Sequence, residues 1–139
     1  MINTINMQDM RYLNLFSQIT KVNTRFFLKY NDMLVFCVPK DFVMRAVGED
    51  AENLKRMSSI IKKKIRVVPM PRGVEDARFF IESIVKPAIF KSLQVTPTEV
   101  VITAGSMQNR ATLFGRDKRR FIEMQKIVRD FFDKDLRIA

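Results

Sequence analysis

The residues best placed to do chemistry are Arg116, Lys118, Arg119 and Arg120, crowded immediately after Gly115. Phe121, Met124, Ile127 and Val128 then recur at i, i+3, i+6 and i+7, the spacing of one helical face. The cations therefore stand at a turn that opens an amphipathic helix. Glycine lets the backbone turn tightly and a ligand approach it closely. The first N–H groups of a helix lack intrahelical partners and favour negative charge, as do the basic side chains beside them. Nucleic-acid phosphate is the anion this arrangement suits. Asn109 and Arg110, one turn before Gly115, are expected to face the same groove.

Other chemistries find little material. The chain has no histidine and one cysteine, Cys37, set in the apolar run Met33–Val38, where a lone thiol reads as a small core residue. Zinc-type metal sites and histidine acid–base catalysis are thus excluded. Neither a phosphate-binding loop of the Gly-Lys-Ser/Thr kind nor a dinucleotide fingerprint is present. The carboxylates are scattered at helix starts and turns. The expectation is a binding protein rather than an enzyme, with no cofactor, no metal and no small-molecule substrate. Twenty-five Lys and Arg against fifteen Asp and Glu leave a charge of +10, which favours a polyanion, nucleic acid before membrane surface. Apolar content of 47% suffices for a packed core, and no long uncharged apolar run suggests a membrane span. The N-terminal residues lack the basic-then-apolar layout of a signal peptide, so a cytoplasmic location is expected.

The turn at Gly115 has a counterpart. Sliding the chain by 67 positions lays Gly48 on Gly115, Leu54 on Phe121, Met57 on Met124, Ile60 on Ile127 and Ile61 on Val128. The same offset lays Met33, Leu34 and Val35 on Val100, Val101 and Ile102. A constant register over roughly thirty positions is the trace of an internal duplication. Chance alignment of two amphipathic helices is the alternative, and the ungapped strand match argues against it.

The elements that must carry these turns can be read in order. Tyr12, Phe16 and Ile19 mark a helix over residues 7–21 with one buried stripe. Residues 25–30 and 33–38 are aromatic and β-branched runs about the two-residue turn Asn31-Asp32. Pro39 ends the second strand. Asp41 is expected to cap a short helix that stops at Gly48. A helix over 52–63 and a strand over 65–68 follow. Pro69, Pro71 and Gly73 make a short, stiff connector. Beyond it the order repeats: a helix led by Ala77, Phe80, Ile81 and Ile84 and ending near Lys86, strands over 89–95 and 99–104, a helix over 107–114 capped by Gly105-Ser106, the residue 111–128 stretch running on towards Phe132, and a last strand at 136–138.

Helix, strand, strand, helix, glycine-led turn, helix, strand resembles the type II K-homology (KH) RNA-binding domain. Two such units in so small a chain are similar to archaeal NusA-type transcription factors, and Pro87-Ala88 entering the second unit's first strand fits the same family. The resemblance implies an α+β fold of tandem type II KH domains, each with a three-stranded sheet packed on helices: residues 1–70, a linker at 71–73, and residues 74–139. In that family the turn is Gly-x-x-Gly and clamps the backbone of single-stranded RNA. Here the fourth position is Ala51 in one turn and Lys118 in the other. Glu49-Asp50 sets two negative charges where phosphate would sit; like charges ~4 Å apart repel by roughly 1 kcal/mol in water. Arg116-Asp117 is near neutral and is followed by three cations. The second turn is therefore expected to carry most phosphate contact through Gly115, Arg116, Lys118, Arg119 and Arg120. Gly48 belongs to the first unit's turn, and that unit would contribute through Lys55, Arg56, Lys62 and Lys63. The Lys62–Lys64 triplet reads equally well as a favourable cationic helix end. The implied function is to hold single-stranded, nascent RNA for termination or antitermination, in a basic groove across both domains, with RNA polymerase as a further partner. The rival reading is a protein-interaction module docking on polymerase or a ribosomal assembly through degenerate KH domains.

Overall fold

The computed structural model describes residues 6–139; most of the N-terminal stretch read for a leader signal lies outside them. The protein is α+β and divides into two compact units at Met70–Pro71, so residues 71–73 fall with the second unit.

In the first unit, helix α1 (Met7–Thr20) opens with a reciprocal cap. Asn6 accepts from the Asp9 N–H at 2.8 Å, and Asp9 accepts from the Asn6 N–H. Such a box satisfies two donors that the helix itself cannot. Strands β1 (Phe26–Tyr30) and β2 (Met33–Val38) form an antiparallel hairpin about Asn31 and Asp32, whose φ of 53° and 59° suit the twist of a two-residue turn. Helices α2 (Val43–Val47) and α3 (Glu52–Ile61) then cross over to β3 (Lys64–Pro69), which pairs parallel to β2 with Met33 opposite Lys64. The middle strand β2 is buried along its whole length. Phe36 stacks on Phe16 at 4.3 Å and on Phe27 at 5.5 Å, with Met57 fully buried in the same core. Aromatic pairs at such separations add to the stabilisation from burial itself.

The second unit repeats this order. Helix α4 (Ala77–Val85) buries Phe80, Ile81 and Ile84. The sheet runs β4 (Ser92–Val95), β5 (Glu99–Thr103), β6 (Asp135–Ile138), with β5 in the middle, antiparallel to β4 and parallel to β6. Helices α5 (Met107–Phe114) and α6 (Arg119–Phe132) make the crossover. Phe80 packs on Phe131 and Phe132 at 4.9 and 5.9 Å. Because α6 has 14 residues where α3 has 10, the offset that holds from strand to turn slips before the last strand.

Several boundaries differ from the sequence reading. Asp41 does not cap α2: it lies inside a 3-10 turn, Lys40–Phe42, with Phe42 preceding the helix. Helix α3 ends at Ile61 because Lys62 turns left-handed, φ 67°, and donates back to the Ser58 carbonyl. Its Ile60 is 56% exposed, whereas the matching Ile127 is buried, so that pair shares register without sharing burial. The strand expected from Ile89 starts only at Ser92. Residues 86–91 are spent turning from α4 to the sheet, which leaves Ile89 66% exposed.

Candidate nucleic-acid interface

The two turns have the same backbone. Gly48 (φ 82°, ψ 168°) matches Gly115 (71°, 173°), Asp50 (54°, 32°) matches Asp117 (55°, 28°), and Ala51 (58°, 28°) matches Lys118 (60°, 24°). Each turn is closed by the fourth residue's N–H donating to the glycine carbonyl, at 3.1 and 3.2 Å. The dihedrals at Gly48 and Gly115 lie where side chains are all but forbidden. Space is short as well, and a neighbour would have to move. A Cβ on Gly115 would stand 2.5 Å from the Arg120 Cγ, and one on Gly48 would stand 2.9 Å from the Asn53 amide nitrogen. The last two turn residues are left-handed, a conformation that costs a side-chain-bearing residue about 1 kcal/mol or more.

What differs is the side chains. Arg116, Lys118 and Arg119 are exposed, and none has a side-chain hydrogen bond or ion pair among the described residues. Helix α6 begins beside them with no side-chain cap on its first N–H groups. Elsewhere in the second unit five exposed or part-exposed cations pair with carboxylates. Arg72 pairs with Asp76, Arg78 with Glu82, Lys126 with Asp130, Arg129 with Asp135 and Arg137 with Glu99. Three cations without a carboxylate partner thus stand together at the Gly115 turn. At the first turn, Glu49, Asp50 and Glu52 line a shallow depression with Lys55. A phosphate would meet carboxylates there.

The fold has a solved counterpart. The crystal structure of APE1850 superposes with a TM-score of 0.68 over 97% of this chain and 100% of that chain, at 20% identity. No family model matches the chain, and no curated protein matches it in sequence.

The other candidate residues sort by geometry. Arg120 does not join the exposed cluster. Its side chain is only 13% exposed, lies under Gly115 and pairs with Glu123 at 2.9 Å. A helical side chain leans towards the N-terminus of its helix, so Arg120 folds back beneath the turn instead of reaching out from it. Asn109 is likewise committed. Its backbone N–H donates to the Ser106 hydroxyl and its amide to the Ala104 carbonyl, which ties the start of α5 to the end of β5. Arg110 stays exposed, its guanidinium 4.8 Å above the Phe114 ring. Phe114 in turn stacks on Phe121, with centroids 5.3 Å apart and planes 20° from parallel. The i, i+4 spacing of Arg110 and Phe114 is visible in the sequence.

In the first unit Lys55, Arg56, Lys62 and Lys63 are all exposed. Lys62 is the left-handed cap that follows the last residue of α3. Asn53, which matches Arg120, donates to the Arg45 and Ala46 carbonyls and pins the turn from below. Among the described residues no helix is long and apolar enough to cross a membrane.

Proposed function

We propose that the protein is a single-stranded RNA-binding factor of the transcription apparatus, NusA-like, built of two type II KH domains, with the Gly115 turn as its principal phosphate seat. The observation that carries this reading is the pairing of one backbone with opposite charges. Two turns of the same conformation differ in that only the second gathers exposed, unpaired cations beside uncapped helix amides. The strand, helix, turn, helix, strand order in each unit supports the KH assignment. So does the left-handed fourth position, because glycine adopts that conformation without strain and Gly-x-x-Gly is the family's pattern. Binding by neutralised phosphate supplies affinity with little sequence information, as suits a factor that follows RNA of many sequences. No turnover is involved.

The first unit is read differently. Its turn presents Glu49, Asp50 and Glu52, and Met44, one turn earlier, is 86% exposed. An acidic rim beside an exposed apolar side chain favours a protein contact at that turn, with RNA polymerase the candidate the resemblance supplies.

Ultraviolet crosslinking of the whole protein to a random single-stranded RNA pool, followed by peptide mapping, tests the reading. Crosslinks are expected within residues 107–121 and not within residues 43–52. No crosslinks at low salt, or crosslinks confined to the first turn, would refute it.

A further inference from the structure

The internal duplication provides a control for each residue around the second turn. Arg110, Phe114 and Phe121 correspond, at the same offset of 67, to Val43, Val47 and Leu54. In the first unit Val43 and Leu54 are partly buried aliphatics packed on the core. The shared scaffold therefore needs no more than apolar filling at those positions. The second unit instead sets a guanidinium over a ring, 4.8 Å from its centroid, and stacks that ring on another at 5.3 Å. Both phenylalanines are half-buried, and Arg110 is exposed. The Arg110 guanidinium carbon lies 4.8 Å from the Phe114 centroid, and the side chain meets no other described partner. Phe114 is bonded directly to Gly115, so the stack begins where the exposed cations begin.

An exposed guanidinium over an aromatic ring offers a planar cation on which a second flat π system can lie. Nucleobases stack on Arg planes and aromatic rings in single-stranded RNA recognition. We propose that Arg110, supported by Phe114 and Phe121, is a stacking platform for one nucleobase, adjoining the phosphate held at the Gly115 turn. The inference rests on the reading proposed above and adds a residue that senses the base to those that sense the backbone. Stacking tolerates any base, and a purine offers the larger overlap. The platform thus selects a base over no base, and a purine over a pyrimidine, at one position of the bound strand.

The test uses the full chain and a set of short single-stranded oligoribonucleotides in which an abasic site is moved one position at a time. Wild-type protein is expected to lose about tenfold in affinity when one particular position is abasic. Arg110→Lys keeps the charge and removes the plane. It is expected to erase that position-specific loss while leaving the dependence of affinity on salt unchanged. Phe114→Leu, a change the aliphatic Val47 shows the scaffold to accept, is expected to do the same. An equal abasic penalty in wild type and Arg110→Lys, or no penalty in wild type despite salt-dependent binding, overturns the platform and leaves the phosphate seat standing. Absence of binding to every oligonucleotide at low salt overturns both.

Discussion

Neutralising Arg116, Lys118 and Arg119 together should change RNA affinity in a way that no loss of structure would imitate. All three side chains are exposed and make no contact that the fold depends on, so Arg116→Gln, Lys118→Gln and Arg119→Gln should leave thermal stability within about 0.5 kcal/mol. Each cation on a single-stranded phosphate contributes about 0.7 to the slope of log affinity against log salt. Removing three lowers that slope by about 2. Between 1 M and 0.1 M salt a slope of about 2 amounts to roughly two decades in affinity, or about 3 kcal/mol. Fluorescence anisotropy titrations of a labelled single-stranded RNA at several salt concentrations read both numbers. Arg120→Gln is the contrast. Arg120 pairs with Glu123 beneath Gly115, so its loss should lower stability and leave the slope where it was. The converse graft of Glu49→Arg, Ala51→Lys and Glu52→Arg places the second unit's cations on an identical backbone and should raise the slope. An unchanged slope in the triple variant would refute the seat, whatever happened to affinity at a single salt concentration.

Two further outcomes follow from the backbone and the core. Gly115→Ala forces a side chain into φ 71° and against Arg120 at 2.5 Å, and should destabilise the protein by about 2 kcal/mol or more, read as an earlier thermal transition by circular dichroism. Cys37 is 1% exposed, and burial pushes its thiol from 9.0 up to about 12. It should resist dithionitrobenzoate at pH 8 until denaturant is added. The unfolded thiol ionises first, so this group's contribution to stability is complete below about pH 9 and is lost as pH rises towards 12.

The sequence was informative where a residue's effect is local. Asn31-Asp32 gave the hairpin, Ser106 the start of α5, and the shared glycines the two turns. Those residues act through their own backbone or the next few N–H groups. Boundaries set by packing were less accessible. Lys62 ends α3 in a left-handed conformation with no glycine to announce it, and Ile60 lies outside the buried stripe its register suggested. At the site, four cations within five residues looked equivalent, yet Arg120 differs from Arg119 because one step around a helix is about 100°. That rotation takes the side chain from solvent to the underside of the turn. Asn109 fell to the same effect, leaning back to the Ala104 carbonyl. Counting charges along a chain cannot separate such neighbours.

The duplication also bears on what made the turn and what would make it bind. Left-handed pairs of residues with side chains are costly, and two unrelated turns would be unlikely to pay that cost in the same places. Asp50-Ala51 and Asp117-Lys118 both do, each following a glycine whose backbone conformation would strain a side chain. The conformation is thus a property of the scaffold, held from below by Asn53 in one unit and by Arg120 packed on Glu123 in the other. Since the backbone amides are presented alike in both, they cannot be what distinguishes the turns towards a phosphate. The distinction must come from Glu49, Asp50 and Glu52 on one side and Arg116, Lys118 and Arg119 on the other. If the graft of the three cations onto the first turn failed to raise the salt slope, the seat would need something beyond the turn, and the Arg110 stack is the feature the first unit lacks.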